Sequence, residues 1–127
     1  MLKILAVMTG GAIGSISRYS VFMATQRLSG DSFPIGTLAA NLLGAFAIGL
    51  LWPLVETSRL TNEWRLFIFT GFLGGFTTFS TFALETTQLI KIGAWRTALL
   101  YVGISNVLGI GLVICGYYLA KHQLSAA

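Results

Sequence analysis

Four long apolar stretches constrain the fold of this chain more than any other feature. They lie at about 2–28, 36–55, 66–90 and 97–119, and each approaches or exceeds the ~20 residues that a helix needs to cross a bilayer. The short connections make neighbouring helices antiparallel and leave room for one domain only, residues 1–127. Because only helices and closed barrels satisfy backbone groups in lipid, and the runs lack strand-like alternation, the sequence predicts an all-α membrane protein with four spans.

The composition excludes several other classes of protein. Charged residues make up 9% of the chain, whereas a soluble domain carries about 25%. The eight Lys and Arg residues are scattered, so no basic face for nucleic acid is expected. Although the N-terminus resembles a signal peptide, three more spans follow it, and we expect an uncleaved first helix. One cysteine, Cys115, and one histidine, His122, predict neither a metal cluster nor a catalytic set, so the chain is not expected to be an enzyme.

The basic residues are divided evenly between the two sides of the predicted bundle. One side carries Lys3, Arg59, Arg65 and Lys121, and the other carries Arg18, Arg27, Lys91 and Arg96. The count is four against four, or four against three if Arg18 is embedded. Since an excess of Lys and Arg on one side sets the orientation of a membrane protein, this balance predicts insertion both ways round and an antiparallel homodimer.

The stretch GGFTTFSTF, Gly74 to Phe82, interrupts the third span. Adjacent glycines followed by hydroxyl side chains weaken a helix, and a break would expose carbonyls that must be buried or bind an ion. After such a break, Phe79 and Phe82 share a helix face, flanked by Thr78, Thr81 and Glu85. The alternative is a helix softened by glycine, in which the two phenylalanines pack and the hydroxyls bond back to the i−4 carbonyls of their own helix.

Four other polar residues lie at membrane depth, where such groups are costly. They are Arg18, Asn41, Glu85 and Asn106. Asn41 could form interhelical hydrogen bonds or act as a donor at a pore mouth. Arg18 could extend to the interface or hold a positive potential that attracts anions. Glu85 could bind a coupled proton or cation, or could serve as a hydrogen-bonding group near the end of the third span.

GGFTTFSTF, together with GTLAANLLGAF before it and GGAIGSISRY near the start, closely resembles the Fluc/CrcB fluoride channel family. The resemblance covers the whole chain. It implies a fluoride-selective channel that exports fluoride passively through the inner membrane of a bacterium and protects the cell from fluoride toxicity. It also implies an antiparallel dual-topology homodimer with two pores along the dimer interface.

The resemblance further assigns roles to particular residues. Phe79 and Phe82 would line the pore, and a structural sodium ion would be held by the backbone carbonyls of Gly74 and Thr77 from both subunits. The other residues assigned to the fluoride path are Asn41, Thr78, Ser80, Thr81 and Tyr101, while Arg18 and Glu85 would attract anions or support the structure. Many family members have Ser where this chain has Ala83, so one hydroxyl of the polar track is missing.

Two other functions compete with this interpretation. The first is a dual-topology proton-coupled exporter of small solutes, similar to the small multidrug resistance family. That family usually has a glutamate embedded in the first span, whereas the first span here contains no acidic residue. The second is a membrane scaffold that transports nothing.

Overall fold

In the computed structural model, residues 1–26, 33–58 and 60–126 are described, with side chains up to residue 125. All regular elements within these ranges are helical. They are α1 (Leu2–Gln26), α2 (Ile35–Thr57), α3 (Asn62–Arg65), a π-helical segment (Leu66–Leu73), α4 (Gly74–Phe76), α5 (Phe79–Lys91) and α6 (Trp95–Ala126). The predicted all-α class is confirmed. Arg27, Arg59 and the last two residues of the predicted first span lie outside the described ranges.

Three helical stretches of the described chain are long and apolar enough to cross a membrane. They are Ile35–Thr57, Asn62–Lys91 and Trp95–Ser125, and the predicted spans 36–55, 66–90 and 97–119 fall inside them. The protein is therefore a multi-pass membrane protein. Helix α1 occupies the first predicted span, but it is not among these three; its centre is rich in Gly and Ser and carries Arg18. Its crossing of the membrane remains a prediction.

Helix α1 crosses the third helical stretch at backbone contact distance. A Cβ atom on Gly10 would overlap the carbonyl oxygen of Phe67, and one on Gly14 would overlap that of Phe72. A Cβ on Gly75, from the opposite side, would lie 2.6 Å from the carbonyl oxygen of another α1 glycine, Gly11. The G-xxx-G spacing of Gly10 and Gly14 thus allows the close approach that such spacing predicts.

Helices α2 and α6 run side by side in the same direction. Near their middle, a Cβ on Gly49 would overlap the carbonyl oxygen of Val113, while one on Gly116 would lie 2.7 Å from the carbonyl oxygen of Phe46. A parallel pair is what results when a second and a fourth span follow short connections. The packing leaves the start of α6 beside α2 and α5, where the candidate site is built.

The turn between α5 and α6 fixes this placement. Gly93 has φ +78°, the left-handed conformation that glycine adopts without strain. Its N–H donates to the carbonyl of Ile90 at 3.0 Å, and the N–H of Ala94 donates to that of Leu89 at 2.9 Å. This pair of bonds is a Schellman motif. It directs α6 back along α5, so that Leu89 packs with Tyr101 in a buried cluster.

Candidate functional site

The third helical stretch is broken at Thr77 and Thr78. Their backbones are extended, with φ −91° and ψ 155° at Thr77 and φ −148° and ψ 116° at Thr78. The helix resumes at Phe79, where the Thr78 hydroxyl oxygen accepts a hydrogen bond from the N–H of Thr81 at 3.3 Å. Threonine is a favoured residue at such an N-cap. The predicted interruption of the helix is therefore present.

Asn41 of α2 binds the backbone at the break through both ends of its amide. Its Nδ2 donates to the carbonyl oxygen of Thr78 at 3.1 Å, and its Oδ1 accepts from the N–H of Thr78 at 2.8 Å. The side chain therefore pairs with Thr78 much as a neighbouring strand would. This satisfies both backbone groups where lipid offers no partner. Of the two roles left open for Asn41, the interhelical hydrogen bond is present.

The same rearrangement removes the helical donors of the carbonyl groups just before the break, Gly74 and Thr77 among them. In a continuous helix, the carbonyl of Gly74 would accept from the N–H of Thr78, and that of Thr77 from the N–H of Thr81. Here those two N–H groups are directed to Asn41 and to the Thr78 hydroxyl. The Thr77 hydroxyl donates to the carbonyl of Leu73 at 2.9 Å, so this side chain is engaged in its own helix. The two carbonyls predicted to bind sodium are thus among those that lose their i+4 donors at the break.

A row of aromatic rings leads from the surface into the bundle. The ring centroids of Phe79 and Phe82 are 5.7 Å apart, and those of Phe82 and Tyr101 are 5.1 Å apart. Phe79 is 79% exposed, whereas Tyr101 is fully buried. The structure thus brings together the three aromatic residues that the sequence singled out, and two of them follow the break directly.

Glu85 joins three helices through its carboxylate. Its Oε1 accepts from the hydroxyl of Thr37 on α2 at 2.7 Å, and its Oε2 accepts from the hydroxyl of Tyr101 on α6 at 2.7 Å. Glu85 is therefore a hydrogen-bonding residue, the last of the roles left open for it. Since the Tyr101 hydroxyl donates to Glu85, its hydrogen is engaged there. The sequence analysis did not single out Thr37, which is 4% exposed.

Arg18 lines a small cavity beside the break. The cavity has a volume of about 220 Å³ and is lined by Ser15, Arg18, Tyr19, Phe22, Gly36, Thr37, Thr78 and Thr81. Arg18 is half-buried and forms no ion pair with an acidic residue in the described parts of the chain. Within those parts no carboxylate neutralises its charge, and the anion-attracting role of Arg18 stays a prediction.

Hydroxyl groups follow the start of α5. The Thr78 hydroxyl donates to that of Thr81 at 3.0 Å and lies 3.3 Å from that of Ser80. Ser80 is exposed, and the half-buried Ala83 offers no hydroxyl further along α5.

Ser105 on α6 is a further polar residue, which was not predicted from the sequence. Among the described side chains its hydroxyl is the one buried polar group without a hydrogen-bond partner, and such groups are costly. Its position one helical turn after Tyr101, on the same face, is the signal that could have revealed it.

Comparison with known proteins places the chain in a family. Residues 5–117 match the model of the family described as CrcB-like protein, Camphor Resistance (CrcB). A protein of Parabacteroides distasonis named "Fluoride-specific ion channel FluC" is 44% identical over 125 residues, covering 98% of each chain. A protein of the same name from Agrobacterium fabrum is 47% identical, over 96% of this chain and 98% of its own. By the extent of these matches, the chain belongs to the CrcB-like protein family.

Proposed function

We propose that this protein is a fluoride-selective channel that exports fluoride passively and protects the cell from fluoride toxicity. The observation that carries the proposal is the broken third span, where a row of aromatic rings starts beside a chain of hydroxyls. The relatives named fluoride-specific ion channels match nearly the whole chain and support the same function. Their names describe channels, in agreement with the prediction that the chain is not an enzyme.

The chemistry of this region suits a small, strongly hydrated anion. A pore must replace the water contacts that fluoride loses, and the edges of Phe79 and Phe82 carry partial positive charge. The hydroxyls of Ser80 and Thr81 add hydrogen-bond donors. Arg18 pairs with no carboxylate among the residues that the structure describes, and its positive charge would raise the local concentration of anions near the cavity beside the break.

The hydrogen bonds of the Glu85 carboxylate favour a channel over a proton-coupled exporter. The carboxylate is held between three helices, because its two oxygens accept hydrogen bonds from Thr37 and Tyr101. The arrangement favours a fixed, structural carboxylate.

Fluoride efflux from proteoliposomes tests the function. We expect rapid fluoride release that does not change when a proton gradient is imposed, and little release of chloride under the same conditions. Efflux that follows the proton gradient would support the coupled exporter, and no efflux from correctly folded protein would support a scaffold.

We infer further that the channel is an antiparallel homodimer in the inner membrane of a bacterium, with four spans in each subunit. The balanced basic residues support dual topology, and exposed groups at the break support a partner there, since both Gly74 and Phe79 are uncovered in the single chain.

A reporter protein fused to the C-terminus is expected on both sides of the membrane. Three lysines added at the C-terminus should bias the orientation and lower fluoride flux, unless an oppositely oriented copy is co-expressed. A wild-type reporter on one side alone would contradict dual topology.

A sodium ion at the dimer centre is the third part of the proposal. Sodium is a hard cation that prefers oxygen ligands, and Gly74 and Thr77 each offer a carbonyl without its helical donor. These two residues would supply two carbonyl oxygens from one subunit and four from the dimer. A cation fixed there also favours the entry of an anion nearby.

Variants at these two residues test the sodium site. Within the subunit, a Cβ on Gly74 would meet only the Phe69 carbonyl oxygen, at 3.7 Å, so Gly74→Val should spare the subunit fold and block the proposed interface. We expect sodium to stabilise the wild-type dimer in size-exclusion chromatography, and Gly74→Val to lose this response together with fluoride flux. Thr77→Ser is the control, because serine keeps the hydroxyl bond to Leu73 and the backbone carbonyl. Unchanged flux and sodium response in Gly74→Val would refute the site.

A further inference from the structure

A second small cavity lies at the other end of α2, away from the break. It has a volume of about 180 Å³ and is lined by Trp52, Val55, Glu56, Arg65, Leu66, Phe69 and Thr70. The lining residues come from the last turns of α2, which ends at Thr57, and from the start of the third helical stretch, which begins at Asn62. The cavity thus lies where two predicted spans reach the boundary between hydrocarbon and headgroups.

Two opposite charges line this cavity without pairing with each other. The Oε1 atom of Glu56 accepts from the indole N–H of Trp52 at 2.8 Å, and Nη2 of Arg65 donates to the carbonyl oxygen of Val55 at 3.0 Å. Both charged residues are exposed. Among the described residues, one carboxylate oxygen and most of the guanidinium N–H groups therefore remain open to a ligand, and that ligand would need to carry charge of both signs.

Aromatic and aliphatic groups form the rest of the wall. The rings of Trp52 and Phe69 meet edge to face, with centroids 5.2 Å apart, and Trp52 is 48% exposed. Tryptophan is enriched at the level of lipid headgroups because one part of the ring is apolar and the N–H is polar. A ligand with adjacent charges and an apolar continuation fits such a wall better than a water-soluble ion does.

We propose that this cavity binds the headgroup of a phospholipid that carries a primary ammonium, the phosphoethanolamine group. Arg65 would donate two parallel hydrogen bonds to the phosphate, and Glu56 would accept from the ammonium. The glycerol and the first acyl carbons would lie against Trp52 and Phe69. A choline headgroup lacks the N–H donors that Glu56 needs, and an anionic headgroup would place no positive charge beside that carboxylate. The inference does not depend on the proposed transport function.

Lipid retention by the purified full-length protein tests the proposal. The protein is exposed to an equal mixture of phosphatidylethanolamine, phosphatidylcholine and phosphatidylglycerol in detergent, and bound lipids are counted by native mass spectrometry. We expect the wild type to retain phosphatidylethanolamine about fivefold over each of the other two, the factor for one charged contact at the membrane surface. Glu56→Gln keeps an acceptor for the Trp52 N–H but not the negative charge, and it should reduce this preference to near parity.

Two further variants complete the test. Arg65→Gln should lower retention of phosphatidylethanolamine by a similar factor, because the phosphate loses its guanidinium. Glu63→Gln removes a carboxylate that lines a different cavity, next to Leu2 and Trp64, and should leave the preference intact. No preference in the wild type, an unchanged preference in Glu56→Gln, or an equal loss in Glu63→Gln would overturn the proposal.

Discussion

Replacing Phe79 or Phe82 by isoleucine is expected to slow fluoride efflux at least tenfold in dimers that remain intact. Isoleucine preserves an apolar side chain but removes the positive ring edge, so a dehydrated fluoride ion would meet a higher barrier. Each ~1.4 kcal/mol added to that barrier slows passage about tenfold. The measurement is the initial rate of fluoride efflux from liposomes, with size-exclusion chromatography to show that the dimer is intact.

The different burial of the two rings separates a role in transport from a role in packing. Phe79 is 79% exposed, so Phe79→Ile should change the stability of the subunit little. Phe82 packs against the buried cluster that contains Tyr101, and Phe82→Ile should also cost ~1 kcal/mol of stability. Phe67→Ile provides a matched control, because Phe67 pairs with Trp64 outside the break. Wild-type flux in an intact Phe79→Ile/Phe82→Ile dimer would identify the two phenylalanines as packing residues.

The sequence was sufficient to predict the helical class and the approximate limits of the apolar helices, because lipid imposes a length and an apolarity that composition reveals directly. The predicted fourth span, 97–119, is a membrane-crossing segment and does not state where the helix itself ends. The helix continues through Lys121 and His122 to residue 126, since polar residues end an apolar stretch without ending a helix. The π-helical segment Leu66–Leu73 was not predicted. Hydropathy depends on which residues are present, whereas a π-helix is defined by hydrogen bonds that shift by one residue.

The parts of the candidate site that depend on residues close together in the sequence could be predicted. Glycines and hydroxyls that weaken a helix indicated the break, and helical spacing indicated that Phe79 and Phe82 are neighbours. The partners of Asn41 and Glu85 were not predictable, because they lie on other helices: Asn41 binds a residue 37 positions away, and Glu85 binds Thr37, 48 positions away. An isolated sequence shows that a polar residue in lipid needs a partner, but not which one it has.

Asn41→Leu is expected to destabilise the protein more than any other single change considered at the break. Leucine has a similar volume but cannot bond to Thr78, whose half-buried N–H and carbonyl would both lose their partner. Each such buried group costs ~1–3 kcal/mol when it is left unsatisfied, so the loss is roughly 2–6 kcal/mol. We expect a markedly lower midpoint of thermal unfolding in detergent. Fluoride flux should also fall more than tenfold, because the carbonyls of Gly74 and Thr77 and the ring of Phe79 are all placed by the same break.

Two comparisons distinguish the bonds at the break from the mere presence of an amide in the membrane. Asn106→Leu removes an asparagine whose Nδ2 donates only to the carbonyl of Val102 in its own helix, at 2.8 Å, so its effect on stability should be small. Asn41→Asp keeps an acceptor for the Thr78 N–H but loses the donor to the Thr78 carbonyl, and its stability should be intermediate. If Asn41→Leu unfolds at the wild-type temperature while its fluoride flux is lost, Asn41 acts chiefly as a donor to the permeating ion. If Asn41→Leu and Asn106→Leu have the same midpoint of thermal unfolding, the bonds to Thr78 do not hold the break in place.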